Sequence, residues 1–416
     1  MKILFVLGLE VNPKVGGVER VTHVLSHYFV KEGIQVGFLY FTLQELTYYE
    51  SDDKIVNYFV PDTTQISTDV NITYVHDVIV SNDFNIIINQ GNIANAVTLL
   101  ISKAVEGTSC KIISILHNTP LIFTQFYGQY RQTLSQYLQL QNKSIKNSIK
   151  KRLLIFMAFS EYQKTYKRYV RLAIQSSERF VLLSKGYVPL LNKISGIKDN
   201  QKIIAIPNPL SYNDHYAVAE ISKKKNQVIY VGRLEFNQKR LDRLLNVWKM
   251  VEMDFTDWQL IIVGGSLHGE QSDNSDYQNM ELQRLKQLAK HLKLNKVIFA
   301  GNQDPVTFYK ESSIFCLTSS YEGFPMVLIE AVQYGVVPIV FGSFEAIYDL
   351  IDNNINGSIV TPFDLNEFGV KLKEQMGDKQ KREKMAAEAL LTSKRYTIDV
   401  IGQEWIQTFK NVIAGQ

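Results

Sequence analysis

Short apolar runs rich in Val, Ile and Phe return along the whole chain, and between them apolar residues recur with the 3.6-residue period of a helix. This alternation restricts the fold to strand-helix-strand units, in which helices bury both faces of a parallel sheet. In the first half the expected strands are "KILFVLG", "QVGFLYF", "FNIIINQ", "KIISILHN", "RFVLLS" and "KIIAIPNP". The second half starts again with "QVIYVGRL" and continues through "WQLIIVGG", "KVIFAGN", "IFCLTSS", "VPIVF" and "GSIVTPF". Two α/β sheets in series follow, and 416 residues provide for two cores at roughly 100 to 200 residues per domain. Between them, in "IPNPLSYNDHY", Pro207 and Pro209 flank Asn208 and remove two backbone donors, which marks a hinge. Domains are therefore expected at 1–207 and 208–395, followed by 396–416, where "YTIDVIGQEWIQTFKNVI" reads as a helix.

Composition narrows the class. Hydrophobic residues make up 45% of the chain and charged residues 21%, values of a globular protein. A net charge of +4 argues against wholesale nucleic-acid binding. Cys110 and Cys316 each sit in an apolar run, as buried reduced thiols do, which fits a cytoplasmic protein. "MKILFVLGL" reads as a first strand and not as a signal peptide: Glu10 ends its short apolar stretch, and no small-residue cleavage site follows. No run approaches the ~18 apolar residues of a spanning helix, so membrane contact is expected to be peripheral.

Open α/β sheets take ligands beyond the carboxyl ends of their strands, so two facing sheets are expected to line a cleft with their strand-to-helix loops. After the first strand, Gly16 and Gly17 precede a helix whose apolar face is Val18, Val21, Leu25 and Tyr28. Free N–H groups at such a helix start suit a phosphate, while a plain tight turn explains the same glycines. Gly8, Gly16 and Gly17 do not make the dinucleotide fingerprint, and "GGSLHGE" carries Glu270 where a Walker loop needs Lys. In "YVGRLEFNQKRLDRLL", Arg233 and Lys239 share one loop and could neutralise a diphosphate, or simply be solvated. "SSYEGFPMVLIEA" places Glu322 in a strand-exit loop with Gly323 and Phe324, Pro325 at the first helical position followed by Met326, and Glu330 on an almost wholly apolar helix. A buried carboxylate needs a partner, either the vicinal hydroxyls of a ribose or a structural Arg or Lys.

Glu322 and Glu330, "VGRL" with a lysine six residues after its arginine, and "GNQDPVTFYKESSIFCLTSS" together resemble the retaining glycosyltransferases of family 4. The resemblance covers nearly the whole chain, most strongly from Val228 to Val360. It implies the GT-B fold: two facing Rossmann-like domains, the first (1–207) for the acceptor and the second (208–395) for a nucleotide sugar. A C-terminal helix returns to the first domain, with Trp405 as an anchor. The donor implied is a UDP-hexose or UDP-N-acetylhexosamine, and the acceptor a lipid-linked glycan or polysaccharide. Glu322 then contacts the sugar and Glu330 the ribose. Arg233 and Lys239 grip the departing diphosphate in place of a metal, with help from the backbone of Gly16, Gly17 and Gly323 to Met326. No cofactor is implied, and no Asp-x-Asp pair or "HExxH" motif argues for a divalent ion. His117, after "KIISIL", is expected beside the transferred sugar, unless it merely caps its strand, and Ser184 is a weaker candidate. "SLHGEQSDNSDYQ" is longer and more polar than the family's usual loop.

From Asn142 to Ile174 the chain carries Lys143, Lys146, Lys150, Lys151, Arg152, Lys164, Lys167, Arg168 and Arg171 against a single acid, Glu161, with "LLIFMAF" embedded among them. Cations beside an apolar patch suit an anionic membrane surface, here the inner face of the cell membrane, or a lipid pyrophosphate acceptor. A charged outer helix with its apolar side on the core gives the same pattern, and nothing identifies a nucleic-acid reader. Two other functions share these motifs in part. A nucleotide-sugar epimerase can use the same fold, and a non-catalytic sugar-binding subunit need not keep both carboxylates and both cations.

Overall fold

The structure, a computed structural model, describes residues 1–13, 16–42, 54–90, 95–121, 148–197, 201–212, 220–265 and 275–415. The chain divides into two compact units, one of Met1–Val11, Phe29–Ile206 and Ile406–Gln416, the other of Asn12–Tyr28 and Pro207–Trp405.

The first unit is built on a parallel sheet in the order β3-β2-β1-β4-β5-β6-β7. Its strands are β1 (Lys2–Leu7), β2 (Gln35–Tyr40), β3 (Ile55–Phe59), β4 (Ile86–Asn89), β5 (Lys111–Leu116), β6 (Arg179–Leu182) and β7 (Ile203–Ala205). β1 pairs with β2 on one side (Ile3↔Val36) and β4 on the other (Ile3↔Ile86), so the order reverses beside β1. Central strands are buried almost end to end, as a sheet covered on both faces requires. One face packs Leu4, Val6, Ile87 and Ile112 against Val97, Leu100 and Ile101 of helix α3 (Asn95–Ala104), with helix α2 (Asp69–Asn82) beside it. β3 was not foreseen. It is the edge strand, and in "IVNYF" both Val56 and Asn57 are exposed, so it lacks the continuous apolar signal of its neighbours.

Helix α1 (Gly17–Lys31) buries Val21, Leu25 and Tyr28 and leaves Val18 half-buried. A long helix, α4 (Ser148–Gln175), and α5 (Tyr187–Ser195) complete the described helices that precede the second sheet.

The second unit carries a parallel sheet in the order β10-β9-β8-β11-β12-β13. Here the strands are β8 (Lys225–Val231), β9 (Gln259–Val263), β10 (Val297–Gly301), β11 (Ser312–Leu317), β12 (Val337–Phe341) and β13 (Ser358–Val360). The order reverses again beside the unit's first strand: β8 pairs with β9 and with β11 (Val228↔Leu260, Ile314↔Val228). Helix α6 (Leu241–Val251) packs Leu244, Leu245 and a fully buried Trp248 toward the core. At the carboxyl edge the backbones of neighbouring strands close on each other, with Gly232 donating to Val263 at 3.0 Å and Gly264 to Gly301 at 2.8 Å. Gly264 has φ +143, and a Cβ there would lie 1.9 Å from the carbonyl oxygen of Gly232, so only glycine fits.

Continuing in chain order, the helices are α7 (Ser275–His291), α8 (Val306–Glu311), α9 (Met326–Gln333), α10 (Ile347–Leu350), α11 (Leu365–Gly377), α12 (Lys379–Ser393) and α13 (Ile398–Ile413). Trp405 of α13 is buried. The last residues, Ile406–Gln416, belong to the first unit, where Phe409 meets Phe29 edge-on at 5.2 Å, as a helix returning to the N-terminal domain does. No described helix is long and apolar enough to cross a membrane.

Candidate active site

β8 and β11 are paired neighbours, so the loops that leave their carboxyl ends, 232–240 and 318–325, are brought side by side. They are tied by backbone and side chain alike. Ser320 N–H donates to the Gln238 carbonyl at 2.7 Å, and the Thr318 hydroxyl donates to the Arg240 carbonyl at 3.0 Å. Arg243, on the first turn of α6, reaches across to the Thr318 carbonyl at 3.3 Å and the Ser320 hydroxyl at 3.2 Å. Its guanidinium lies 4.2 Å from the Phe363 ring centroid, and burial with Arg240 nearby pushes its pKa down to about 10. Tyr230, wholly buried in β8, donates to the Arg233 carbonyl at 2.8 Å and fixes the start of the loop.

On this frame the predicted charges meet. Lys239 Nζ lies 2.7 and 3.0 Å from the two oxygens of Glu322, with side-chain exposures of 12% and 7%. Gln238 donates to Glu322 Oε2 and to the Tyr321 carbonyl, both at 3.1 Å. Arg233 is more open, 3.5 Å from Gln238 Oε1 and 3.8 Å from Glu235. Glu322 is therefore held as a partnered carboxylate, while the Arg233 side chain is 38% exposed. Gln238 and Arg243 were missed in the sequence. Gln238 lies on the very loop singled out for Arg233 and Lys239, and its amide was the available signal.

Glu330 lies on α9 and is completely buried, and the structure gives it protein partners. Oε1 accepts from Arg20 Nη1 at 3.0 Å and from the Ser211 hydroxyl at 2.7 Å. Oε2 is 3.2 Å from the Tyr309 hydroxyl, whose single proton is shared with the Val327 carbonyl at the same distance. Arg20 also donates through Nε to the Pro13 carbonyl at 3.1 Å, just before the glycine loop. Burial pulls the Arg20 guanidinium pKa down, but Glu330 together with Tyr212 and Tyr309 outweighs it and the net direction is upward. The structural alternative named for this carboxylate, an arginine partner, is thus present. Pro325 departs by one position from its expected place. With ψ at 92° it is the N-cap of α9, its carbonyl accepting from Leu328 at 2.9 Å, and Met326 is the first helical residue. Phe324 is buried against Tyr396, their ring centroids 5.7 Å apart.

Gly17 opens α1, and the Gly16 carbonyl accepts from Arg20 N–H at 3.1 Å. Among the described residues beyond its chain neighbours and its own helix backbone, a Cβ on Gly17 would approach nothing closer than Met326 Cγ at 4.0 Å. His117 directly follows β5 and contacts Oε1 of Gln90 through Nε2. Burial drives its imidazole pKa down to about 4, so the ring is neutral near pH 7. Ser184 is buried, and its hydroxyl accepts from Gly186 N–H at 3.2 Å in the turn into α5.

In the basic segment, Lys164, Lys167, Arg168 and Arg171 lie exposed along one side of α4. With Leu99 of α3 they line an open groove of about 650 Å³. Lys143, Lys146 and the side chains of Lys150, Lys151 and Arg152 lie outside the described residues, as does 266–274 of the long polar loop.

Residues 213–391 match the model of the family described as "Glycosyl transferases group 1". An uncharacterised glycosyltransferase of Haemophilus influenzae is 30% identical over 270 residues, covering 64% of this chain and 70% of that one. A second relative is the Campylobacter jejuni α-1,4-N-acetyl-D-galactosaminyltransferase named for a diNAcBac-PP-undecaprenol-linked substrate. It is 26% identical over 214 residues, covering 51% of this chain and 55% of its own. Among solved structures, Anabaena HepE in complex with UDP and glucose matches with a TM-score of 0.69 at 16% identity, covering 99% of this chain and all of that one. WaaG, a glycosyltransferase involved in lipopolysaccharide biosynthesis, matches with a TM-score of 0.66 at 14% identity, covering both chains fully.

The pairing of Arg20 with Glu330 has a measurable cost when broken. Removing one partner of a buried pair costs about 3–5 kcal/mol. Because Arg20 is 29% exposed, Arg20→Met is expected to lose about 2–4 kcal/mol in denaturant unfolding. The double change Arg20→Met/Glu330→Gln should recover at least part of it, since a neutral amide needs no counter-charge. An unchanged midpoint for Arg20→Met would contradict the assignment of this pair.

Proposed function

The chain belongs to the group 1 glycosyl transferases, and on that premise we propose a retaining enzyme of family 4 that moves a hexose or N-acetylhexosamine from UDP to a lipid-linked or polysaccharide acceptor. The observation that carries the donor assignment is the cluster of Arg233, Gln238, Lys239 and Glu322 on the exits of β8 and β11, at the reversal of strand order where open α/β sheets bind nucleotides. Arg233 and Lys239 meet the diphosphate and stabilise its charge as the bond to C1 breaks. N–H groups at the start of α9 add to that stabilisation. The acceptor oxygen bonds to C1 on the face the diphosphate leaves, and its proton passes to the departing diphosphate, which retains the anomeric configuration. Glu322, oriented by Lys239 and Gln238, accepts hydrogen bonds from sugar hydroxyls. For Glu330 to accept from the ribose, the Ser211 or Tyr309 hydroxyl yields its place on the carboxylate while Arg20 goes on compensating the charge. A divalent ion is not required in this scheme, because two side-chain cations take its role.

Replacing Arg233 or Lys239 with Ala is expected to cut UDP release from a UDP-sugar and acceptor by about 10² or more, and excess chelator should leave the native rate unchanged. Full turnover in the double variant, or loss of activity with chelator, would overturn this scheme. Donor converted to its epimer without any acceptor would identify an epimerase instead.

For the acceptor side we propose that the groove beside α4 faces the anionic inner surface of the cell membrane, with the protein cytoplasmic and peripheral. Four exposed cations stand at Lys164, Lys167, Arg168 and Arg171, an i, i+3, i+4, i+7 arrangement; Glu161, 3.6 Å from Lys164, offsets one of them, and the row keeps a positive surplus that an anion can meet. Similarity to a relative named for an undecaprenol-linked substrate favours a lipid-borne acceptor. Co-sedimentation with vesicles containing phosphatidylglycerol should fall with added salt, since charges beyond a Debye length of about 8 Å are screened at physiological ionic strength. It should fall further in Lys164→Ala/Arg168→Ala. Binding that neither salt nor this variant alters would count against the surface.

A further inference from the structure

Gln90 leaves β4 directly after Asn89, and its backbone N–H donates to the Val6 carbonyl of β1 at 3.0 Å. His117 leaves β5, the strand paired with β4 through Asn89↔Ser114. The two side chains thus emerge from neighbouring strands at the carboxyl edge of the first sheet, Gln90 from the strand beside the reversal of order. Gln90 is 3% exposed. Its Oε1 contacts Nε2 of His117, and its own Nε2 has no partner among the described residues. The histidine therefore accounts for the one side-chain hydrogen bond this buried amide makes there.

An amide carbonyl oxygen can only accept, so this contact requires a hydrogen on Nε2 of the ring. A neutral imidazole protonated there carries its lone pair on Nδ1. Were the amide turned by 180°, its N–H would donate to Nε2, the ring hydrogen would move to Nδ1, and the lone pair would be consumed inside the protein. Burial keeps the ring neutral, and no charged side chain contributes to its shift, so a neutral amide decides the tautomer.

We propose that Gln90 is a positioning residue for His117: it accepts the Nε2–H bond, fixes the ring in that tautomer, and leaves Nδ1 as the acceptor for a ligand hydroxyl at the carboxyl edge of the first sheet. The role in turnover rests on the glycosyltransferase reading given above, whereas the tautomer does not. Spectra of the full chain labelled with ¹⁵N-histidine test it, with the His117 ring assigned by its loss in His117→Ala. Native protein at pH 7 should show Nε2–H alone. Gln90→Leu should show both tautomers and lose about tenfold or more in kcat with UDP affinity kept, as a misplaced catalytic-site group does. Gln90→Glu should keep Nε2–H and raise the pH at which the ring becomes charged by about 1 to 3 pH units, as an adjacent carboxylate does. An Nδ1–H ring in the native protein, or an unaltered ring in Gln90→Leu, overturns the positioning role. Mixed tautomers with unchanged kcat in Gln90→Leu overturn its part in transfer. A native chain with the Nε2–H ring that turns over no nucleotide sugar overturns the transferase reading instead.

Discussion

The parallel pairing of β8 with β11 is the constraint on which the candidate site depends. Parallel strands point their carboxyl ends the same way, so two loops separated by some eighty residues of sequence leave the sheet together. Everything chemical at the site follows from that adjacency: Lys239 reaches Glu322, Gln238 reaches the Tyr321 carbonyl, and Arg243 reaches Thr318 and Ser320. Gly264, with a φ open only to glycine, lets the neighbouring backbone close up at the same edge. A bulky side chain there would disturb the turn that begins at Gly232.

The carboxylates on the two sides of this loop are treated differently. Glu322 pairs with a lysine on the donor loop, within reach of Arg233 through Gln238, so its charge belongs to a network that an anionic ligand can rearrange. Glu330 sits deeper, and arginine, serine and tyrosine all supply donors to it. A buried charge tolerates no less. Its ion pair also links α9 to the backbone before the glycine loop, because the same Arg20 holds the Pro13 carbonyl.

Periodicity made most of this fold legible. The apolar runs marked every central strand, since strands buried on both faces must be continuous in Val, Ile and Phe. Edge strand β3 escaped because Val56 and Asn57, at its centre, meet solvent. Arg233, Lys239, Glu322 and Glu330 were visible as polar residues that no strand or helix needs. The pairing of Lys239 with Glu322 and of Glu330 with Arg20 was not, because contacts across some eighty or three hundred residues depend on topology. Gln90 and Arg20 were hidden for the same reason: an ordinary amide after a strand and an arginine on a helix gain meaning only from what faces them. Pro325 was misplaced by one position, since Pro suits both the N-cap and the first turn and only ψ separates them.

The central claim is that the exits of β8 and β11 hold a nucleoside diphosphate. Hydrogen-deuterium exchange of the full chain, with and without saturating UDP, tests it directly because it reports where the ligand lands. The account predicts slowed exchange in peptides covering 232–240 and 319–326, where backbone N–H groups and the Arg233 and Lys239 side chains meet the phosphates. Unchanged exchange in both segments, with UDP shown to be bound, would contradict it.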